Sequence, residues 1–239
     1  FIVESLRLAT AIFAAYSVAK IGLTLGVSNR GMVEMTYIAP IKDFFKRHGL
    51  KTALLLLALI GSYRISDIVL GVISNVFYQD MAFSKEEIAW AVKTFGVIMA
   101  VLGGFLGGLL SMRYGVMRIL FIGAVLSALT NLLFIALTSA GHDLTLLYLV
   151  ISADNLSAGL ASAAFVAFLS SLTNVSFTAM QYALFSSLMT LLPKFMGGYT
   201  GTFVANMGYS NFFILTALLG LPVLALVVLA KRHLVFETR

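Results

Sequence analysis

The sequence predicts an all-α membrane protein. Hydrophobic residues fill 60% of the 239 positions and charged ones only 11%, against about 25% charged in a soluble domain. The apolar residues gather into runs long enough to cross about 30 Å of hydrocarbon. The basic residues stand at the ends of those runs, where cytoplasmic loops concentrate them. A mean hydropathy of +1.00 is more apolar surface than a water-soluble core hides, so lipid is the expected solvent for much of the chain. The net charge of +6 is dispersed over span ends rather than gathered in a patch, which excludes nucleic acid as a partner. The absence of cysteine excludes disulfides and thiolate metal sites. No stretch alternates polar and apolar residues as a membrane β-barrel strand does.

Taken in order, the first apolar run covers Leu6 to Val27 and contains Lys20. Residues 1–28 are read as an extra hydrophobic helix that spans the membrane or lies in its interface with Lys20 snorkelling outward. Residues 29–51 form a mixed segment. Ile38, Ile41, Phe44 and Phe45 share one helical face and Lys42 and Lys46 lie elsewhere, the pattern of an amphipathic cytoplasmic surface helix. Six clear spans follow at about 52–78, 87–111, 119–139, 145–171, 179–204 and 211–230, making a bundle over 52–230, and residues 231–239 form a tail. Basic residues precede the first span (Lys46, Arg47, Lys51), lie between the second and third (Arg113, Arg118) and follow the sixth (Lys231, Arg232, Arg239). That alternation puts these loops and the C-terminus in the cytoplasm. The chain begins at Phe1 without a signal-peptide pattern, and it is read as a piece of something longer.

Ionisable residues inside spans are costly and mark functional positions. Arg64 and Asp67 lie at i, i+3 in the first clear span and share one face. They are either a cavity wall holding substrate and a coupling carboxylate, or a neutral structural ion pair. Asp154, early in the fourth span, either titrates, partners Arg64 across the bundle, or snorkels to the interface. Asn155 is a ligand contact or a helix–helix hydrogen bond. Lys194 follows Pro193 in the fifth span and either counters an anionic solute or snorkels. Gln181 and Asn174 flank that span as ligand or cap residues. Gly103, Gly104, Gly107 and Gly108 form interleaved small-xxx-small pairs, and small residues also follow Asp154. Both read as close-packed seams along which helices rock. The three histidines are far apart and no phosphate loop or nucleophile elbow is present, so the reading is a non-enzyme without cofactor or metal.

The loop from Gly108 to Arg118 (GLLSMRYGVMR) resembles the major facilitator signature G-x-L-x-D-R-x-G-R. It keeps the glycines and Arg113, with Met112 in place of the Asp and Val116 in place of the Arg. Other strings resemble the AmpG-type muropeptide permeases of Gram-negative bacteria. They are Ala39 to Phe45 (APIKDFF), Tyr63 to Asp67 (YRISD), Asp154 to Gly159 (DNLSAG) and Ser171 to Leu184 (SLTNVSFTAMQYAL). The resemblance covers about Ala39 to Arg232. It implies the six-helix C-terminal half of a major facilitator bundle in the bacterial inner membrane, with residues 1–28 as an extra segment between halves. It further implies proton-driven import of anhydromuropeptides from periplasm to cytoplasm. On that expectation Asp67 or Asp154 carries the proton. Tyr63, Arg64, Asn155, Gln181 and Lys194 face the solute, the glycines and Arg113 serve packing and gating, and a missing N-terminal half completes the cavity. A different peptide, sugar or organic anion as cargo is the alternative, and a membrane scaffold without transport is a third reading.

Overall fold

A computed structural model describes residues 30–237 and a few positions between Ala9 and Lys20. Most of the expected extra helix at 1–28 therefore lies outside the described residues. The chain forms two compact units, Phe1–Arg47 and His48–Arg239. In the first, a turn of helix at Arg30–Val33 and a wide π-turn at Glu34–Ile38 lead into α1, Ala39–Ser62. Ile38 and Ile41 are exposed and Phe44 is buried, so the apolar face expected of a surface helix is not uniform. Exposed pairs, Lys42 with Glu34 at 3.3 Å and Arg47 with Asp43 at 2.9 Å, each contribute at most about 1 kcal/mol.

The second unit opens with a break in α1. Gly49 has φ 69 and ψ 160 inside the helix, a backbone state that only glycine adopts without strain. Beyond that break α1 carries the apolar run that the sequence puts at about 52–78. It continues through a turn at Tyr63 and Arg64 into α2, Ile65–Asp80. The helical ladder persists across that turn, with Tyr63 N–H donating to Leu59 O at 2.9 Å and Ile68 N–H to Arg64 O at 3.0 Å. The turn is thus a kink in one traverse.

Ser84 and Glu87 then form a reciprocal capping box, which satisfies two orphan N–H groups at a helix start. Lys85–Ile88, a π segment at Ala89–Gly96 and α3, Val97–Tyr114, make the second traverse. The wide π segment has no counterpart in the sequence reading. α4 is Val116–Ala140 and α5 is Leu144–Leu172, the latter capped by Asp143, whose Oδ1 accepts from Leu146 N–H at 3.0 Å. α6 (Thr178–Gly197), α7 (Thr200–Leu218) and α8 (Gly220–Glu237) complete the chain. Among the described residues six helical stretches are long and apolar enough to cross a membrane.

The last two membrane-length stretches are Val175–Gly197 and Thr200–Leu234, so they part earlier than the loop the sequence predicts near 205–210. Gly208, with φ 76 and ψ 167, breaks α7 there. Pro193 is buried inside α6, and the helix is interrupted at Gly198 and Tyr199, where Gly197, Gly198 and Gly201 lower helix propensity.

α3 packs most extensively against α5, and α4 against α5. The α3–α5 seam is closed by backbone approach. A Cβ on Gly103 would collide with Leu156 O, one on Gly159 with Ala100 O, and one on Gly107 would stand 2.6 Å from Leu160 O. Gly104 and Gly108 are looser, with a single contact at 4.0 Å and none respectively. Across the bundle an aromatic cluster joins α2, α4 and α7. Phe77 and Phe213 lie 4.9 Å apart, and Phe134 and Phe213 5.2 Å apart. All three side chains are fully buried.

The seam makes a differential prediction. Gly159→Val overpacks α3 against α5 and lowers the thermal midpoint in detergent, by an amount equivalent to about 1–3 kcal/mol or more. Gly108→Ala, with open space around it, is neutral or stabilising by up to about 1 kcal/mol. Equal effects of the two would show that the seam is not closed by backbone contact.

Candidate functional site

The polar residues that the sequence places inside spans meet at the kink between α1 and α2. Arg64 is the kink residue and Asp67 lies in the first turn of α2. Arg64 Nε donates to Asp67 Oδ2 at 3.1 Å, and Arg64 Nη1 donates to Ser162 Oγ on α5 at 2.7 Å. Ser127 on α4 donates to Asp67 Oδ1. The two charged side chains are only 23% and 12% exposed, so each would be costly without the other. One ion pair with two hydroxyl partners thus ties the α1–α2 kink to both α4 and α5.

Asp154 is placed differently. Thr130 lies one turn along α4 from Ser127, and its Oγ1 stands 3.5 Å from Asp154 Oδ1 and 3.4 Å from Ser157 Oγ. Ser157 Oγ in turn donates to the Asp154 backbone carbonyl at 2.9 Å. Among the described residues the Asp154 carboxylate has that one long hydroxyl contact and no cation. The Arg64 guanidinium goes to Asp67 and Ser162, and does not pair with Asp154. Thr130 Oγ1 also donates to the Ser127 backbone carbonyl at 3.0 Å, so the two carboxylates are met by separate hydroxyls one turn apart on α4.

A second polar layer lies beside the first. Asn131, fully buried, donates from Nδ2 to Ser66 Oγ at 2.7 Å, and Ser66 Oγ donates to Thr216 O at 2.7 Å. Asn131 Oδ1 is buried with no hydrogen-bond partner among the described residues. Tyr63 is buried. Its hydroxyl donates to Leu120 O at 2.9 Å and its ring stacks on Phe165 with centroids 4.5 Å apart.

The remaining expected site residues are dispersed. Asn155 donates to Ile151 O at 3.0 Å and lines an open groove of about 620 Å³ along α3 and α5, together with Gly104, Gly159, Ser162 and Val101. The same Ser162 that holds Arg64 thus forms part of the groove wall. Gln181 is buried at the start of α6, where its Oε1 accepts from Asn174 N–H at 2.7 Å and fastens the preceding loop. Lys194 is exposed, and its side chain makes no hydrogen bond or ion pair among the described residues. Arg113 is exposed at the end of α3, its guanidinium 5.4 Å from the Tyr114 ring. Ser127 and Thr130 are network members absent from the sequence reading, and Ser162 stands in it only among the small packing residues that follow Asp154. The sequence signal for the first two is the spacing of Ser127, Thr130 and Asn131 on one face of an otherwise apolar helix.

The model of the Major Facilitator Superfamily matches residues 52–235. The Rickettsia conorii protein named "Putative transporter AmpG 4" is 36% identical over 189 residues, which is 79% of this chain and 45% of that relative. The "Anhydromuropeptide permease" of Escherichia coli K12 is 30% identical over 203 residues, 84% of this chain and 41% of the relative. The chain spans a little under half the length of these curated relatives.

The ion-pair geometry sets an expectation for stability. Arg64→Gln or Asp67→Asn alone leaves one charge unpaired and costs about 3–5 kcal/mol. The double variant costs less than the sum, and Ser162→Ala costs about 1 kcal/mol. Denaturant titration in detergent, followed by circular dichroism, measures the cycle. Additive single-site losses would show that the two charges are not energetically coupled.

Proposed function

The chain belongs to the major facilitator superfamily, and from that premise we propose that its six spans form the C-terminal half of a proton-coupled importer of anhydromuropeptides. The relative named as an anhydromuropeptide permease supports the cargo. The observation that carries the mechanism is the Asp154 carboxylate, held inside a lipid-surrounded bundle by one hydroxyl at 3.5 Å and by no cation. A carboxylate so placed gains and loses a proton without breaking an ion pair, which suits a coupling residue.

In this reading residues 52–230 are the transporter half and 29–51 a cytoplasmic linker. Residues 1–28 are an additional hydrophobic segment, and 231–239 a cytoplasmic tail. The protein sits in the bacterial inner membrane, with its basic loops and C-terminus on the cytoplasmic side. A second six-helix half supplies the opposite wall of a midplane cavity. Asn155 and Ser162 offer hydrogen bonds to sugar, and Arg64 and Lys194 attract the carboxylates of the peptide stem. Tyr63 and Gln181 have a smaller part, because their polar atoms already serve Leu120 O and Asn174 N–H. The tight α3–α5 seam is the surface on which access alternates, with Arg113 at its end.

Transport assays on the complete protein in proteoliposomes test this. Asp154→Asn is expected to abolish accumulation of labelled anhydromuropeptide under a proton gradient, while solute exchange without a gradient continues. Unaltered gradient-driven uptake would remove Asp154 as the coupling group. Competition by unrelated peptides, sugars or organic anions, with no inhibition by anhydromuropeptide, would replace the proposed cargo.

A further inference from the structure

Away from the polar network, a groove of about 670 Å³ opens between the start of α4 and the end of α8. Its lining changes character along the helix axis. Arg118, Lys231 and Arg232 stand at one end, and Phe121, Ile122 and Val228 form the wall about one turn deeper. No acidic residue lines it. All three cations are exposed, and among the described residues none of them makes an ion pair.

The groove arises from how the two helices meet. They run antiparallel, and at the opposite end of the pair Gly220 approaches so closely that a Cβ there would stand 2.9 Å from Ala128 Cβ. Small residues close that end, and at the other end Phe121 and Ile122 line the open groove. Basic residues at span ends are commonly simple interfacial anchors. Anchors need no cavity, however, and here three cations converge on the mouth of an apolar channel. A free inorganic anion has no use for the apolar wall, and a neutral lipid has none for three unpaired cations. An amphiphile with a negative head and a hydrocarbon tail matches both ends.

We propose that this groove is a binding site for an anionic phospholipid. The phosphodiester lies against Arg118, Lys231 and Arg232, and one acyl chain runs along Phe121, Ile122 and Val228. The site is separate from the Arg64–Asp67–Asp154 network, and its occupant is a structural lipid rather than cargo.

Native mass spectrometry of the purified chain in detergent, titrated with phosphatidylglycerol or phosphatidylcholine of matched acyl chains, tests the assignment. Phosphatidylglycerol is expected to be retained in preference to phosphatidylcholine. The variant Arg118→Gln/Lys231→Gln/Arg232→Gln is expected to weaken that retention by at least about tenfold, since each basic residue near a lipid surface is worth about 1 kcal/mol. Ile122→Trp, which fills the apolar wall and keeps every cation, also weakens it. Lys51→Gln/Lys85→Gln/Lys93→Gln removes the same charge elsewhere and leaves it unchanged. Equal retention of the two lipids, full retention by the Arg118/Lys231/Arg232 variant or by Ile122→Trp, equal loss in the Lys51/Lys85/Lys93 variant, or displacement of the lipid by inorganic phosphate would each overturn the proposal.

Discussion

A guanidinium and a carboxylate buried among apolar helices hold this bundle in register. In a bilayer neither charge has water to fall back on, and each costs a few kcal/mol on insertion scales unless it is matched. Arg64 and Asp67 match each other, and each makes one further bond, the guanidinium donating to Ser162 and the carboxylate accepting from Ser127. Because those hydroxyls belong to α5 and α4, α2 is tied to two neighbours at once. Rotating α2 about its axis would strip both charges of their hydroxyl partners together. The kink at Tyr63 and Arg64 belongs to the same arrangement. It aims Arg64 toward α5, and it is held by the Tyr63 hydroxyl on Leu120 O and by the ring stacked on Phe165.

The opposite seam is built on a different principle. Between α3 and α5 the contact is backbone against backbone, permitted by Gly103, Gly107 and Gly159. Such a surface has no directional bonds to lose when it slips by a fraction of a turn, whereas a seam held by interhelical hydrogen bonds must break them first. α5 therefore carries a polar anchor to α2 through Ser162 and a smooth face toward α3. A helix with one pinned side and one sliding side is suited to rocking. The small residues that follow Asp154 are the sequence expression of that division.

The bundle was largely legible in the sequence because lipid imposes a simple rule of length and apolarity. Loop charge and glycine then mark where each crossing stops. Gly49 and Gly208 break their helices close to the predicted ends of spans. The polar site was only half legible. Arg64, Asp67 and Asp154 stand out because charge inside an apolar run has no cheap explanation. A serine or threonine in the same run does, since it bonds back to its own helix, as Ser162 does to Ala158 O at 2.6 Å. Nothing local distinguishes Ser127, which reaches Asp67, from Ser139, which bonds only its own turn at Ile135 O. The π segment at Ala89–Gly96 was invisible for a related reason, because its residue pattern is that of an ordinary apolar helix. Tyr63 and Gln181 show the converse. They look like ligand contacts in sequence, and their polar atoms serve the fold.

The two buried carboxylates are chemically unequal, and that inequality bears on the proposed importer. The Asp67 carboxylate is tied to the Arg64 guanidinium, which also reaches Ser162 on the wall of the α3–α5 groove, whereas the Asp154 carboxylate meets only the Thr130 hydroxyl, at 3.5 Å, among the described residues. The first carboxylate is part of the bundle's scaffold and the second is not. Ser127 donates to Asp67, whereas the Thr130 hydroxyl reaches the Ser127 backbone carbonyl at 3.0 Å and stands 3.5 Å from Asp154. α4 thus meets the two carboxylates through separate hydroxyls one turn apart, so in the proposed importer what links them is the packing of α4 against α5.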